Sequence, residues 1–73
     1  MKFTEATKRF IVQNLQRCNY DLDRLIDEAN GQRSMADSED LRQEFITIQE
    51  ELSTMKHRRI SILDVKIWEH SII

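Results

Sequence analysis

The sequence contains few residues that break a helix or brace a small fold. Its 73 residues include no proline, one glycine (Gly31) and one cysteine (Cys18). A single cysteine excludes an intrachain disulfide and suits a reducing compartment. The scarcity of proline and glycine favours helices over loops. Because a core of this size supplies only about 3–5 kcal/mol of stability, we expect the chain to need a second copy or a partner.

Long apolar runs are also missing, so the sequence predicts neither a signal peptide nor a membrane-spanning helix. We therefore expect a cytoplasmic protein that does not bind membranes. The net charge of −2 gives no overall attraction to nucleic acid. His57 and His70 have no metal-ligand spacing with Cys18 or with each other, so we expect no metal and no cofactor.

A heptad pattern predicts one long helix over residues 4–30. Its apolar positions alternate in steps of four and three, which is typical of a stripe that faces a partner helix. The stripe consists of Ile11, Leu15, Cys18, Leu22, Leu25 and Ala29. Thr4 is placed to cap the start of this helix. Asn30 and Gly31 are placed to end it, because both residues tolerate a left-handed backbone.

A predicted loop over residues 31–38 leads to a second predicted helix over residues 39–59. The stripe of this helix has the same spacing and consists of Leu41, Phe45, Ile48, Leu52 and Met55. Ser34 with Asp37 fits the capping pattern at its start, and Asp37 or Ser38 can cap it instead. The sequence thus predicts a single all-α domain, residues 1–73, built on an antiparallel helical hairpin.

The last segment, the tail over residues 60–73, is rich in β-branched residues and has two interpretations. The alternation over residues 63–68 predicts a strand, which we slightly prefer. Ser61 and Asp64 also fit a capping box, which predicts a third helix. The sequence leaves the choice between strand and helix open.

The charges along the two predicted helices favour a homodimer. Each helix has an acidic and a basic part, and a simple hairpin would place acidic beside acidic and basic beside basic. Exposed pairs are worth only about 0.2–1 kcal/mol each, but two hairpins laid head to tail would make every such pair attractive. We therefore expect the hairpin to dimerise into a four-helix bundle.

The apolar tail is the predicted binding segment, since tryptophan is enriched where proteins bind each other. The predicted partner-binding residues are Ile60, Ile62, Leu63, Val65, Ile67 and Trp68. We expect a small non-catalytic regulator, inhibitor or assembly co-factor that binds another protein through its helix faces and this tail. The alternative is a nucleic-acid-associated transcriptional regulator that uses the basic patch Lys56, His57, Arg58 and Arg59. The basic patch also has a purely structural interpretation, because cations at the C-terminal end of a helix complement the helix dipole.

No pair of residues in the sequence predicts catalysis. Cys18 with His57 would make a nucleophile and its base, but Cys18 lies in the apolar stripe, where a free cysteine acts as a small hydrophobe. The acidic pairs that could act as acid and base are Asp21 with Asp23 and Glu50 with Glu51. Helical neighbours one or two positions apart do not face each other, so we expect no enzyme.

The stretch Ile48-Gln49-Glu50-Glu51-Leu52 resembles the signature of the small sporulation aspartyl-phosphate phosphatases, which are helical hairpins. The resemblance covers only these few residues. The chain has Gln49 where that signature has serine, and Ser53 where it has the functional aspartate. The resemblance therefore does not imply phosphatase activity.

Overall fold

The computed structural model of the protein describes residues 3–72, which form four α-helices and no strand. The helices are α1 (Glu5–Arg17), α2 (Leu22–Met35), α3 (Glu39–His57) and α4 (Ile62–Ile72). The main packing is between α2 and α3, while α1 contacts α2, α3 and α4. None of the helices in residues 3–72 combines the length and the apolarity needed to cross a membrane. The all-α prediction is confirmed, whereas the predicted boundaries are wrong in three places.

The predicted single helix over residues 4–30 is wrong, because α1 ends in a Schellman turn. The Asn19 N–H donates to the Gln16 carbonyl at 3.0 Å, and the Tyr20 N–H donates to the Leu15 carbonyl at 2.9 Å. These bonds satisfy carbonyls that the end of a helix leaves unpaired. Asn19 and Tyr20 both adopt left-handed backbone, with φ of 53° and 59°. Asparagine tolerates this conformation, so Asn19 could have indicated the end of α1. The heptad spacing of apolar residues continues across it and predicted an unbroken helix instead.

Helix α2 begins directly after this turn and is capped by Asp21, a residue that the sequence indicated only as a possible acid–base partner of Asp23. The Asp21 carboxylate accepts a hydrogen bond from the Asp23 N–H at 3.1 Å. An aspartate at this position satisfies an orphan donor and complements the positive end of the helix dipole. A cap at Asp21 therefore separates α2 from α1.

The predicted loop over residues 31–38 is too long. Helix α2 continues through Asn30 and Gly31 to Met35, so the loop before α3 consists of residues 36–38. Gly31 does not adopt a positive φ, so it does not end the helix. Helix α3 starts at Glu39 and is capped by Ser38, whose hydroxyl accepts a hydrogen bond from the Leu41 N–H at 3.2 Å. Of the predicted caps, Ser38 is the one the chain uses.

Gly31→Ala is expected to raise the free energy of unfolding by about 0.5–1 kcal/mol, because glycine inside a helix loses more backbone entropy on folding than alanine. A Cβ at this position meets no atom within 4 Å, so no clash offsets the gain. Urea denaturation of the variant and the wild type measures the difference. A destabilised variant would contradict helical backbone at Gly31.

Helix α3 ends at His57, two residues before the predicted boundary. Arg59 adopts left-handed backbone with φ of 54°. The Ile60 N–H donates to the Met55 carbonyl at 3.2 Å, which repeats the Schellman pattern at the end of α1. The chain therefore turns sharply before α4.

The preferred strand interpretation of residues 60–73 is wrong, because residues 62–72 form α4. The predicted capping box is present: the Asp64 N–H donates to the Ser61 hydroxyl at 3.2 Å, and the Ser61 N–H donates to the Asp64 carboxylate at 3.3 Å. A strand would need a second strand for its backbone groups, whereas a capped helix satisfies its own. Ile73, the last residue of the predicted tail, lies outside the described residues.

One apolar core joins the helices, and both predicted stripes face it. The residues with no exposed surface include Ile11, Leu15, Leu25, Ile48 and Leu52. The rings of Phe10 and Phe45 meet edge to face, with centroids 5.2 Å apart. Since the chain covers these stripes with its own helices, their buried residues offer no surface to a second copy.

The segment before α1 is fastened to α3 by a buried carboxylate. Glu44 is 7% exposed, and its Oε1 accepts a hydrogen bond from the Thr4 N–H at 2.6 Å. Thr4 occupies the predicted cap position, but its hydroxyl makes no capping bond to the α1 backbone. The hydroxyl lies 3.2 Å from that of Thr7 instead. This arrangement places Phe3 in the core, where it is 5% exposed.

Candidate interaction surface

Helix α4 is apolar on two opposite sides, and its inner side packs on the core. The inner residues recur in steps of three and four, which places them on one face. They are Val65, Trp68, Glu69 and Ile72, of which Val65 is 2% exposed. The Trp68 Nε1–H donates to the Glu51 carboxylate on α3 at 3.3 Å. These contacts fix which side of α4 faces outward.

The outer side of α4 carries three large aliphatic side chains that nothing in residues 3–72 covers. They are Ile62, Leu63 and Ile67, which are 57%, 67% and 60% exposed. At 100° per residue, the three lie within an arc of about 140° on the helix. We name these three residues the outer stripe. Neighbouring large aliphatic side chains that stay exposed often mark a surface that binds another molecule, so the outer stripe is a candidate binding surface.

The structure divides the six predicted partner-binding residues into two groups. Three of them form the outer stripe. Val65 belongs to the core, and Trp68 and Ile60 are half-buried beside the core. Val65, predicted to contact a partner, is instead packed in the core of the folded chain and offers a partner no exposed surface. Choosing the helix interpretation at the sequence level would have separated the two groups, since the residues alternate between faces at helical spacing.

A shallow cavity lies between α3 and α4, next to Trp68. Its volume is about 380 Å³, and it is lined by Glu50, Glu51, Thr54, Met55 and Trp68. We name it the Trp68 cavity. Met55 and Trp68 supply its apolar surface, and the two glutamates supply negative charge. No sequence pattern predicts this cavity, because its residues come from two helices whose contact no local pattern reveals.

The turn between α1 and α2 borders α4. The Tyr20 hydroxyl donates to the buried Glu69 carboxylate at 3.4 Å, and the Lys66 ammonium lies 5.4 Å from the centre of the Tyr20 ring. Partial burial, together with the charge and the hydrogen bond of Glu69, raises the pKa of the Tyr20 phenol above its usual 10.0. Tyr20 therefore joins the turn between α1 and α2 to two residues of α4.

The predicted basic patch does not form an uninterrupted cationic surface. Lys56 pairs with the Asp23 carboxylate on α2. Lys56, His57 and Arg59 line a groove of about 750 Å³ that Asp23 and Asp27 also line. A phosphate entering this groove would meet two carboxylates, which weakens the case for nucleic acid.

The same ion pair overturns the charge argument for a bundle dimer. Because the helix breaks at residues 18–21, the acidic start of α2 lies beside the basic end of α3. Arg17 at the end of α1 also pairs with Glu28 of α2 at 3.1 Å. Opposite charges therefore meet within one chain, and the repulsion that a dimer would relieve does not arise.

Lys56→Met is expected to reduce the loss of stability at high pH. The hydrogen bond and the charge of Asp23 raise the pKa of the Lys56 ammonium above its usual 10.5. A raised pKa stabilises the fold fully below about pH 10.5, and this contribution is lost as pH rises through the raised value. Both side chains are more than half exposed, so solvent screens the pair and the effect is small.

Urea denaturation at about pH 8 and about pH 11 measures this loss for the variant and the wild type. The raised pKa of Tyr20 also lowers the free energy of unfolding as the pH rises. The Lys56→Met variant is therefore expected to lose some stability at high pH, but less than the wild type. Equal losses in the two proteins would contradict the pairing of Lys56 with Asp23.

The residues considered for catalysis have structural contacts. Cys18 is 2% exposed and packs as a small apolar residue, as its place in the stripe predicts. It is not among the residues that line the groove at His57. Asp21 caps α2, Asp23 pairs with Lys56, and Glu51 accepts from Trp68. Within residues 3–72, no group of three or more His, Cys, Asp or Glu side chains is placed to hold a metal ion.

The stretch that resembles the phosphatase signature lies in the middle of α3 and contributes to its packing. The Gln49 amide donates to the Ile26 carbonyl of α2 at 3.2 Å. Ile48 and Leu52 are fully buried. Ser53, at the position of the functional aspartate, lines the groove that Lys56 and Asp23 share. A serine at this position offers no carboxylate, so the chain lacks the functional group that the phosphatase signature has there.

The chain matches no model of a known protein family, no curated protein and no solved structure.

Proposed function

We propose that this protein acts by binding another protein, with the outer stripe of α4 as its main contact. It acts as a non-catalytic regulator, inhibitor or assembly co-factor. The observation that supports the proposal is the exposure of Ile62, Leu63 and Ile67 on one face of a helix whose other face is packed. An apolar helix face of this kind fits an apolar groove on a partner, with the three side chains as its contacts.

The binding energy expected from the outer stripe is modest. Full burial of an aliphatic side chain contributes about 1.5–3 kcal/mol, and association costs cancel part of the sum. Loss of one such side chain would weaken binding by about 10- to 100-fold. A partner that buries further residues of α4 or of its neighbours would bind more tightly.

A photo-crosslinking amino acid at Leu63 tests the proposal in the native cell. Leu63 is the most exposed residue of the outer stripe, so a bound partner is expected to crosslink there. Met35 is the matched control, because it is also a large hydrophobe, is 78% exposed and lies at the end of α2. The expected result is a distinct crosslinked protein with Leu63 and not with Met35. The same products from both sites, or none from Leu63, would contradict the proposal.

Ile67→Asp in the Leu63-labelled chain is the second step of the test. The aspartate places a charge beside the label without touching the core, since Ile67 is 60% exposed. We expect the crosslinked product to disappear. A product that persists would show that the outer stripe does not carry the interaction.

Nucleic-acid binding through Lys56, His57, Arg58 and Arg59 is the alternative proposal. The carboxylates of Asp23 and Asp27, which line the same groove as Lys56, His57 and Arg59, make it the weaker one. Retention on heparin that falls steeply with salt would favour it. The bundle homodimer and the cytoplasmic location stay predictions. The charge argument for the bundle homodimer is lost, because opposite charges already meet within one chain.

A further inference from the structure

We infer that the outer stripe binds the Trp68 cavity of a second copy of this chain, so that copies associate head to tail. The inference rests on the proposed function in one respect, because both use the outer stripe as a contact. It adds that the molecule bound to the outer stripe is a second copy of this chain. The reason is a match in apolarity, charge and placement between two surfaces of the same molecule.

The first part of the match is charge. The arc of α4 that holds the outer stripe also holds Lys66 and His70, neither of which carries negative charge. The Trp68 cavity is bordered by Glu50 and Glu51. Within residues 3–72, neither glutamate forms an ion pair with a cation of its own chain. A neighbour's Lys66 would supply the opposite charge.

The second part is apolar fit. Met55 and Trp68 give the cavity an apolar surface, and its volume of about 380 Å³ accommodates aliphatic side chains of the size of leucine and isoleucine. Leu63, the most exposed of the three residues of the outer stripe, is the side chain that would enter.

The placement of the two surfaces decides the form of the assembly. Trp68 lies on the inner side of α4, and the outer stripe lies on the opposite side of the same helix. A chain therefore cannot fill its own cavity with its own outer stripe. Each copy gives its outer stripe to one neighbour and its cavity to another, which makes a heterologous contact that closes into a ring or continues as a chain.

The contact is small. A stable interface covers about 800 Å² on each partner, and one helix face with three aliphatic side chains falls short of that area. We therefore expect reversible association, visible at protein concentrations of about 100 μM and above. This weakness leaves the outer stripe free for a larger partner at low concentration.

Two variants that leave the core unchanged test the inference by sedimentation velocity on the purified full chain. Leu63→Glu disables the outer stripe. Glu50→Lys combined with Thr54→Lys disables the cavity, and both of these positions are exposed. Each variant alone is expected to be monomeric where the wild type associates. Met35→Glu, which alters an exposed hydrophobe outside both surfaces, is expected to associate like the wild type.

The equimolar mixture of the two disabled variants is the decisive measurement. The Leu63→Glu chain keeps an intact cavity and the double-lysine chain keeps an intact outer stripe, so the mixture is expected to form a one-to-one dimer and nothing larger. A mixture that stays monomeric while the wild type associates would overturn the head-to-tail contact in favour of a two-fold one. A wild type that is strictly monomeric at about 1 mM would overturn self-association altogether. A Leu63 crosslink to a different protein would then still support the proposed function.

Discussion

Leu52→Asp is expected to leave the protein unfolded at room temperature. Leu52 is fully buried in the core between α2 and α3, and an unpaired carboxylate there must either stay charged without water or take up a proton at a cost. Such a change exceeds the roughly 3–5 kcal/mol of stability that a domain of this size commands. Circular dichroism of the purified variant should show the loss of the helical signal.

Leu22→Asp is the matched control, since it makes the same substitution at a leucine of the other predicted stripe. Leu22 is only half-buried, and it is the first residue of α2. A carboxylate at that place faces the positive end of the helix dipole. The variant is expected to stay folded with a lower melting temperature. If Leu52→Asp melted cooperatively with a wild-type spectrum, the core described above would be wrong.

Val65→Asp is expected to cost about 3 kcal/mol or more, whereas Ile67→Asp is expected to change the free energy of unfolding by no more than about 0.5 kcal/mol. The two residues are two positions apart on α4, but Val65 is 2% exposed and Ile67 is 60% exposed. The pair therefore compares the inner and outer sides of one helix with the same chemical change. Urea denaturation followed by circular dichroism measures both values.

The comparison of Val65 with Ile67 also decides whether the outer stripe is free for binding. If Ile67→Asp destabilised the chain as strongly as Val65→Asp, the outer stripe would be part of the core. In that case the proposed function would lose its supporting observation. If neither change mattered, α4 would not be packed on the rest of the chain.

Much of the core was predictable from periodicity. Ile11, Leu15, Leu25, Ile48 and Leu52 were all predicted as stripe residues, and all are fully buried. The prediction succeeds because helical side chains at steps of three and four share one face regardless of what they pack against. The same pattern failed to show the break at residues 18–21. The reason is that α1 and α2 face the same core and are joined by a short turn. Their apolar residues therefore continue the steps of three and four across the break.

The candidate site was predictable only in part, because exposure is a property of packing. All six residues predicted to bind a partner are apolar. The preferred strand interpretation places Leu63, Val65 and Ile67 on one face, and only helical spacing separates Val65 from the other two. The cavity beside Trp68 depends on the contact between α3 and α4, which lies beyond the reach of any local pattern. The ion pair between Lys56 and Asp23 was hidden for the same reason.

The sequence by itself determined that the chain is helical, which residues are apolar enough to form its core, and that Ser61 with Asp64 can start a helix. These features follow from propensities and spacings within a few residues. Only the tertiary structure decided that α2 places acidic residues beside the basic end of α3, and that α4 leaves Ile62, Leu63 and Ile67 uncovered. Both depend on how far one helix is rotated and shifted against another. Side-chain packing over the whole chain sets that geometry, and a single segment does not encode it.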